Sequence, residues 1–590
     1  MENRITKFKE SFFKYIKSCV GSKKKLTRIL ATPIAVFLLS EYKNEMFNNQ
    51  STAIKDCNEN KFQFAKPNKQ TYVNTKFKYL ILQIICGLKV PEDSEYIEKL
   101  SGIHPKRKLY YIMVLMNNGF LNLARLTALD LINHHIPCFC EKDQYDIYSR
   151  AAVISFLQGY NEEACLFWKT SGELRQTWQL PSTPRNYRII GNDWFAAIGH
   201  VAMLDYYFKH KKLYGSGSYR FVVKKELKMN SLIKSLSRKF NELGLITLSE
   251  NEIKADYDNW QKTNERIFWD ELDLEEKESL NDDFWEHKFP DGNILGYAHA
   301  ASRVQKDWER ANYSPLLKVS EEETKWLHEY KAKIGLPEDA WYVCLHVREA
   351  GYYKSWNKLY PTIRDAKIET YYKAVEKITS AGGWVIRMGD PSMQPIAAMP
   401  NVIDYAHSPF RRSLADLLFP ATCEFFIGTN SGYATIPVIF GTPCALTNWV
   451  PIGWPLWPSQ DLMIFKLFRE KKTNRYLSLE ELFDKRLAFI QNISDIATDL
   501  EVVDNTPEEI CQLTSEMLEA CVLKKRSLKE VGAQPLVMEA YEALAKKYGT
   551  FTGSRLSRFF VEQHPQVFNC LKRNKELKFD VKDEMTSNTL

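Results

Sequence analysis

The chain lacks the long apolar stretch that a membrane-spanning helix needs. Its apolar run near the start, residues 29–39, is 11 residues long, whereas roughly 20 are needed to cross a bilayer. Four basic residues within residues 23–28 stand just before it, and no small-residue cleavage site follows. A secretory signal is therefore not indicated. Residues 1–45 are predicted to lie on an anionic membrane surface, or equally to pack as a basic helix on the protein itself.

A dense cysteine framework and a charge excess of one sign are also missing. The 12 cysteines are scattered through apolar segments, which fits a reducing compartment and predicts a cytoplasmic protein. The close pair Cys138 and Cys140 has no second pair at ligand spacing, so no metal is expected. The 80 basic and 73 acidic residues give a net charge of +7. This excess is too small, on 590 residues, to predict a nucleic-acid partner.

Several nucleotide-binding and nucleophile motifs do not occur. No glycine-rich loop ends in Gly-Lys-Ser/Thr, and no strand-to-helix turn carries a full dinucleotide fingerprint. The turn "GTNSG", residues 428–432, lacks the spacing of a nucleophile elbow. Kinase and dehydrogenase chemistry therefore lose their main support, and nothing indicates a catalytic serine.

What the chain contains is a succession of differently patterned segments, and 590 residues suggest three or four domains. Helical periodicity dominates up to residue 180. Gly119 and Gly159, which separate the helical runs, lie 159 − 119 = 40 residues apart, against about 34 in a tetratricopeptide repeat. The predicted organisation is residues 1–45, the basic and apolar segment; 46–180, an all-helical tetratricopeptide-like domain; 181–335 and 336–480, two α/β domains; and 481–590, a charged helical tail.

Short apolar runs predict the sheets of the two α/β domains. In the first, Tyr187–Ile190 and "YRFVVKK" flank an amphipathic helix, which is the pattern of a parallel sheet. In the second, the five runs "WYVCLHV", "GGWVIRM", "NVIDYA", "CEFFIGT" and "TPCALTN" are mostly separated by helical stretches. This alternation predicts a doubly wound parallel sheet.

Ligands of an open parallel sheet bind beyond the carboxyl ends of its strands. In strand order, the residues at those ends are His346, Arg348, Glu349, Tyr352, Tyr353 and Lys354; Arg387, Gly389, Asp390 and Ser392; Asp404 and His407; and Gly428, Thr429, Asn430, Ser431 and Gly432. Two arginines and a small-residue turn on one edge indicate a site for a diphosphate, since guanidinium groups pair with phosphate and glycine permits close backbone approach.

Each of these residues also has a purely structural interpretation. Gly428 and Gly432 can simply make a tight turn, and the two arginines can pair with acidic neighbours inside the fold. A histidine on an apolar strand, such as His346, is as often a core residue as a catalytic one. Asp404 is better explained as a turn cap.

The first α/β domain offers a candidate base in "GNDWFAAIGH". Asp193 follows a strand, and His200 lies on the next helix. If the two domains face each other across a cleft, either side chain can deprotonate an acceptor hydroxyl. Asp193 can equally be the N-cap of that helix.

Together, "GNDWFAAIGHVAMLDYYF", "CLHVREAGYYKSW", "GGWVIRMGDPSM", "MPNVIDYAHS" and "FFIGTNSGYATIPVIFGTPCALTNW" resemble a bacterial family of glycosyltransferases associated with surface-polysaccharide gene clusters. The resemblance covers about residues 185 to 480. More distantly, the chain is similar to fucosyltransferase-like enzymes of the GT-B fold. The resemblance implies two Rossmann-like domains, a nucleotide-sugar donor held mainly by the second, and no obligatory metal or other cofactor.

The resemblance also implies roles for individual residues. Arg348 and Arg387 would bind the donor phosphates, His346 and Asp390 would line the sugar, and the turn would contact nucleotide or sugar. The catalytic candidates are thus Asp193, His200 and His346. The donor-binding candidates are Arg348, Lys354, Arg387, Asp390, Gly428, Thr429, Asn430, Ser431 and Gly432.

The function that the resemblance implies is sugar transfer to a glycan or lipid-linked acceptor in surface-polysaccharide synthesis. The enzyme would work in the cytoplasm, peripheral on the inner face of the membrane, and the helical domain could recruit a protein partner. A nucleotide-sugar epimerase of the same two-domain fold, and a non-catalytic scaffold that senses a nucleotide, remain alternatives.

Overall fold

The structure is a computed structural model, and it describes residues 77, 80–81, 91–117, 120–177, 187–190, 192–195, 197–214, 220–224, 230–248, 286–349, 363–490, 496 and 499–569. The chain divides into two compact units, Met1–Cys138 and Phe139–Leu590. Within the described ranges no helix is both long and apolar enough to cross a membrane. The predicted membrane-surface segment, residues 1–45, lies outside them.

The first unit is helical where it is described. Its helices are α1 (Asp93–Ser101), α2 (Pro105–Asn117) and α3 (Leu121–His134). The hydroxyl groups of Tyr96 on α1 and Thr127 on α3 are hydrogen-bonded at 2.7 Å. The buried ammonium of Lys108 on α2 donates to Asp130 on α3 at 2.5 Å. Polar bonds thus tie α3 to both other helices, and the tetratricopeptide-like repeat remains a prediction.

Two further helices, α4 (Glu141–Leu157) and α5 (Asn161–Thr177), pack on each other and belong to the second unit. Phe156 of α4 stacks on Trp454 with ring centres 5.1 Å apart and meets the edge of Tyr297. The Asn161 amide at the start of α5 donates to the carbonyl of Gly549. The prediction of one helical domain over 46–180 is therefore wrong, because this hairpin docks on the α/β part of the chain.

The first α/β part, residues 181–335, contains a three-stranded parallel sheet in the order β1-β2-β3. The predicted amphipathic helix is observed as two helices that meet at Met203. The elements are β1 (Tyr187–Ile190), α6 (Ile198–Ala202), α7 (Leu204–Tyr214), β2 (Arg220–Lys224), α8 (Ser231–Asn241), β3 (Leu245–Leu248), β4 (Glu286–Lys288), β5 (Ile294–Gly296), α9 (Tyr297–Arg310) and α10 (Glu321–Lys333).

The second α/β part, from residue 336 onward, holds the larger sheet. Its strands are β6 (Tyr342–His346), β7 (Trp384–Arg387), β8 (Val402–Ile403), β9 (Phe426–Gly428), β10 (Cys444–Trp449), β11 (Leu462–Phe465), β12 (Leu467–Glu470), β13 (Leu500–Val503) and β14 (Arg555–Leu556). Its helices are α11 (Tyr372–Ser380), α12 (Ser413–Thr422), α13 (Thr435–Phe440), α14 (Leu479–Asp484), α15 (Pro507–Cys521), α16 (Pro535–Lys547), α17 (Arg558–Gln563) and α18 (Pro565–Phe568).

Seven of these strands form one sheet in the order β14-β11-β10-β9-β6-β7-β8, and every neighbouring pair is parallel. From β8 inward, chain order reads 3-2-1-4-5-6, which is the doubly wound order, with β14 added at the edge. All residues of β6, β9 and β10 are buried, as expected for strands covered on both faces. The mixed α/β class and all five predicted strands of this part are confirmed.

The segment after residue 480 is not a separate helical tail. Strand β14 pairs with β11, and β13 pairs antiparallel with β12. Helix α15 packs against α11 and reaches β10 and β11. The buried carboxylate of Glu516 on α15 accepts a hydrogen bond from the Ser557 hydroxyl at the start of α17. Strand β14 thus adds the edge strand of the larger sheet, β13 forms a two-stranded sheet with β12, and the predicted boundary at 480 is wrong.

Asp461, just before β11, provides a stability test. It is fully buried, and its Oδ1 accepts the N–H of Cys444 at 2.9 Å. Within the described ranges its Oδ2 has no hydrogen-bond partner. Burial raises the pKa of this carboxyl well above its ordinary value. As pH rises above about 4, the unfolded carboxyl loses its proton while the native one keeps it, so native stability falls.

We therefore expect Asp461→Asn, which keeps the acceptor oxygen and cannot ionise, to raise the melting temperature at pH 8. The gain should shrink toward pH 4, where both states of the parent carboxyl are protonated. Thermal unfolding across this pH range measures it. Exposed Asp339, changed to Asn, is the control. A lower melting temperature for Asp461→Asn at pH 8 would contradict the account.

Candidate functional site

The strand order predicts a ligand crevice at the carboxyl ends of β6 and β9. Strand β6 pairs with β7 on one side and with β9 on the other, and His346 lies beside Gly428 at the ends of β6 and β9. This is the point at which the strand order reverses, so the chain segments leaving the two strands diverge. Open α/β sheets bind their ligands at such a point. We call the carboxyl ends of β6, β7 and β9, with the residues that directly follow them, the crevice.

Arg348 leaves β6 into the crevice and is almost fully buried. Its Nε lies 3.1 Å from Oδ1 of Asp365. Its backbone N–H donates to Oγ1 of Thr429 at 2.9 Å, which ties the exit of β6 to the exit of β9. The acidic partner of Arg348 is thus Asp365, which lies 17 positions later in the chain.

Arg387, the last residue of β7, is the more unusual of the two arginines. Its side chain is 0% exposed, and its Nη2 donates to Glu349 at 3.0 Å. Within the described residues, its Nε and Nη1 have no hydrogen-bond partner. The other carboxylate oxygen of Glu349 accepts from the N–H of Gln394. Burial raises the pKa of Glu349 even against these partners. The internal ion pair that the sequence left open is present, yet it satisfies only part of the guanidinium.

His346, predicted as catalytic, is a buried side chain whose ring lies 5.0 Å from that of Tyr433. Burial, together with the positive charges of Arg387 and Arg348, lowers the pKa of His346 to about 3. Its Nδ1 lies 3.4 Å from the Ser431 hydroxyl. The imidazole is therefore neutral at ordinary pH and is a weak base. It suits a hydrogen-bonding role better than proton abstraction.

Gly428 and Thr429, which belong to the predicted ligand turn, have structural roles. A Cβ on Gly428 would lie 2.3 Å from Cε1 of Phe426 and 3.3 Å from the carbonyl oxygen of His346. Thr429 is 0% exposed, and its hydroxyl is used by the backbone of Arg348. Gly428 and Thr429 thus take part in packing the ends of the strands, and their contact with a nucleotide or sugar remains a prediction.

The close approach predicted at Gly432 is made by another part of the chain. A Cβ on Gly432 would lie 2.8 Å from the backbone nitrogen of Gly199 on α6. The absence of a side chain at Gly432 therefore lets α6 pack on the turn, and the approach of a phosphate to Gly432 remains a prediction. Ser431 and Asn430 are only partly buried. Ser431 caps the turn by accepting from the N–H of Ala434, and the Asn430 amide donates to the carbonyl of Val450 at 2.6 Å.

Of the remaining predicted residues of this edge, the structure describes some and not others. The carboxylate of Asp390 accepts from the N–H of Ser392 at 2.9 Å, and its charge acts on His346. Asp404 precedes the 3-10 turn Tyr405–His407 but makes no capping hydrogen bond with its side chain, which instead accepts from Ile396 N–H and contacts His407. Lys354 lies outside the described residues.

The structure gives the backbone positions of Asp193 and His200, the two candidate bases of the first α/β part. Asp193 lies in the 3-10 turn Asn192–Phe195, and its side chain is outside the described part. The N-cap of α6 is Ala197, so Asp193 is not that cap. His200 lies on α6 directly after Gly199 and is half-buried. Both remain predictions as catalytic residues.

Several polar residues of this edge were missed. The Lys466 ammonium follows β11 and bonds the carbonyl of Asp365 at 2.6 Å and the carboxylate of Asp504 at 2.7 Å. Asn448 exchanges backbone and side-chain hydrogen bonds with Asn505. Listing the residues at the end of β10, as was done for the other strands, would have found Asn448. No sequence signal identifies Lys466 or Asp365.

Asp416, in the first turn of α12, was also missed. It is 9% exposed, and burial raises the pKa of its carboxyl to about 6, against a smaller opposing effect of Arg411. Its carbonyl accepts from the Tyr433 hydroxyl at 2.5 Å, which connects it through the Tyr433 ring to His346. In the sequence it cannot be distinguished from an ordinary helix-surface aspartate.

A metal site and a second ligand pocket are the other features that bear on function in the described part of the chain. No group of three His, Cys, Asp or Glu side chains is arranged to hold a metal ion there. A pocket of about 290 Å³ is lined by Pro315, Leu317, Lys318, Val319, Ala421, Thr422 and Phe440. Thr422 and Phe440 end α12 and α13, which precede β9 and β10. This pocket therefore lies at the edge of the sheet opposite to the crevice. Its lining carries no acid or base pair suited to catalysis.

Comparisons with known proteins add little. No protein-family model matches the chain, and no curated protein matches it. Among solved structures, it is similar to the glycosyl transferase family 9 protein of Veillonella parvula DSM 2008. The TM-score is 0.25 and the sequence identity 13%, over 45% of this chain and 81% of that chain. A TM-score this low supports no argument, so function must be argued from the residues of this chain.

The charge state of His346 can be measured directly. We expect its imidazole to stay neutral between pH 5 and pH 8, because burial and two neighbouring guanidinium groups oppose protonation. Selective ¹⁵N-histidine labelling would show its ring nitrogen shifts unchanged over this range, and His346→Gln would identify the signals. A ring that titrates near the ordinary value of about 6.5 would contradict the buried environment described for it.

Proposed function

We propose that this chain is a glycosyltransferase, and that the crevice binds the diphosphate of a nucleotide-sugar donor. The observation that carries the proposal is Arg387, whose guanidinium is completely buried with two of its nitrogens lacking an acceptor in the described part of the chain. A buried polar group left without a hydrogen bond costs about 1–3 kcal/mol, and more when charged. An anion with several oxygens relieves that cost.

Phosphate oxygens suit this guanidinium better than a second carboxylate does. Glu349 already occupies Nη2 of Arg387, and Arg348 stands nearby with Asp365 on its Nε. Each arginine thus has one acidic partner, which holds the guanidinium in place before the ligand arrives. A diphosphate would accept hydrogen bonds from Nε and Nη1 of Arg387, which Glu349 leaves without an acceptor among the described residues.

The proposed reaction divides the work between the two α/β parts. The arginines stabilise the departing nucleoside diphosphate, and His346, being neutral, donates or accepts a single hydrogen bond at the sugar. A base from the first α/β part, His200 or Asp193, takes the proton of the acceptor hydroxyl. Two Rossmann-like halves with the donor on the second would make this a GT-B enzyme.

The finer parts of the proposal rest on the resemblance described above. They are a glycan or lipid-linked acceptor and a place in bacterial surface-polysaccharide synthesis. Work at the inner face of the cytoplasmic membrane is proposed from the basic and apolar residues 23–39, and a protein partner from the helical pattern of residues 46–180. The epimerase and scaffold alternatives share the nucleotide site, so binding alone does not separate them from a transferase.

Nucleotide binding is the first test. We expect one of the diphosphates GDP, UDP and ADP, but not the monophosphate CMP, to raise the melting temperature, since a ligand at a hundred times its dissociation constant adds about 2.7 kcal/mol of stability. Arg387→Lys keeps the ion pair with Glu349 but loses the paired donors, so it should weaken binding by about 10- to 100-fold. Arg475→Lys is the matched control, because that arginine pairs with Glu470 and Glu481 away from the crevice.

Lysine is preferred to alanine at this position. Arg387→Ala would leave Glu349 as an uncompensated buried charge, and breaking such a pair costs about 3–5 kcal/mol. A loss of binding in that variant could therefore reflect unfolding. If folded Arg387→Lys protein binds the nucleotide as tightly as the parent does, the crevice is not the phosphate site.

Product analysis separates the three functions. With a nucleotide sugar and water as the only acceptor, a transferase should slowly release free sugar and nucleoside diphosphate, because the bond to the diphosphate is the one that breaks. Chromatography of UDP-glucose, UDP-N-acetylglucosamine, GDP-mannose and GDP-fucose reactions would show it. An epimerised nucleotide sugar would indicate the epimerase instead, and intact substrate with measurable binding would indicate the scaffold.

A further inference from the structure

Two glycines from different α/β parts meet backbone to backbone beside the crevice. A Cβ on Gly199 would lie 2.8 Å from the Cα of Gly432, and a Cβ on Gly432 would lie 2.8 Å from the backbone nitrogen of Gly199. Neither glycine has a left-handed φ, so the backbone at both positions accepts other residues. Glycine is required here because any side chain on either partner would force the two segments apart.

This contact joins elements that have different functions in the proposed reaction. Helix α6 packs on the 3-10 turn Gly432–Ala434 and on α13, which begin where β9 leaves the sheet. A second contact joins the same two α/β parts. Helix α8 of the first packs on α12 of the second, and the Ser413 hydroxyl donates to that of Ser231 at 2.6 Å. The first α/β part thus packs against α12 and α13, the helices that flank the crevice.

The contact also sets the position of His200. This residue directly follows Gly199, and consecutive Cα atoms are 3.8 Å apart. The Gly199–Gly432 approach therefore holds the Cα of His200 within about 8 Å of the Cα of Gly432. A change of one methyl group at Gly199 would move the backbone of His200 away from the crevice.

We propose that Gly199 and Gly432 are positioning residues for sugar transfer, and that their contact holds His200 where it accepts the proton of the attacking hydroxyl. This rests on the proposed function. In the step itself, the acceptor oxygen bonds to the anomeric carbon, and its proton passes to the imidazole of His200. The bond between the anomeric carbon and the diphosphate oxygen breaks, and the diphosphate leaves with the electron pair.

The test uses Gly199→Ala, with Gly172→Ala as the matched control. Gly172 lies in α5, and a Cβ there would meet nothing within 4 Å. For the nucleotide sugar that binds, we expect Gly199→Ala to lower kcat for nucleoside diphosphate release about 10- to 100-fold. The dissociation constant of the free nucleoside diphosphate should stay unchanged, because Arg348 and Arg387 are untouched. Gly172→Ala should match the parent in both.

A double-mutant cycle then asks whether Gly199 acts through His200. If it does, Gly199→Ala combined with His200→Gln should be no slower than His200→Gln alone. Multiplied losses would show that the glycine acts independently of His200 and would overturn the inference.

The inference and the function it rests on fail in different ways. If the parent protein turns over a nucleotide sugar and Gly199→Ala does so equally fast, the inference alone is overturned. A kcat loss matched by an equal loss of nucleotide affinity would likewise overturn it, since the contact would then support the donor site as a whole. If the folded parent neither binds nor cleaves any of these nucleotide sugars, the proposed function falls and the inference with it.

Discussion

The parallel pairing of β6 with both β7 and β9 is the constraint on which the candidate site depends. Because the strand order reverses at β6, the segments that follow β6 and β9 diverge and leave a crevice. The same pairing places Arg348, Arg387 and His346 at one edge, although they come from separate strands. Sequence spacing alone does not show that these three side chains lie at the same edge. The pairing of their strands in the sheet brings them there.

The buried charges of this edge show how the site is held together. Arg348 pairs with Asp365, Arg387 with Glu349, and Lys466 with Asp504. Buried ion pairs contribute little net stability, since desolvation offsets much of their attraction. Their presence in a group, together with the incompletely bonded guanidinium of Arg387, is therefore better explained by binding of an anion than by stability. Perturbed ionisable groups gathered at a crevice are typical of functional sites.

The sequence predicted the framework well and the close contacts poorly. Five strands of the larger sheet were found because each is a short apolar run between helical segments. Strands β11 and β14 were missed, since "LMIF" follows a proline-rich stretch and β14 has only the two residues Arg555 and Leu556. The hairpin α4–α5 was assigned to the wrong unit because periodicity predicts a helix but not the surface on which it docks.

Glycine shows the same limit at the scale of one residue. The turn at residues 428–432 was predicted to permit close approach of a phosphate or a sugar to the backbone. What approaches Gly432 is Gly199, more than 200 positions earlier in the chain, and periodicity or motif spacing contains no information about that pairing. Thr429 illustrates the point for polar residues, since its hydroxyl is used by the backbone of Arg348. Partners of this kind follow from the tertiary fold alone.

The central claim is that a nucleoside diphosphate binds in the crevice at the end of β6 and β9. Hydrogen–deuterium exchange of the full chain, with and without the nucleoside diphosphate that stabilises it, tests this most directly. If the nucleoside diphosphate binds in the crevice, exchange should slow in residues 387–394 and 429–434. Exchange should not change along the opposite edge of the sheet, at residues 315–319 and 440–443. Protection confined to that opposite edge, or to the helices of the first unit, would contradict the account.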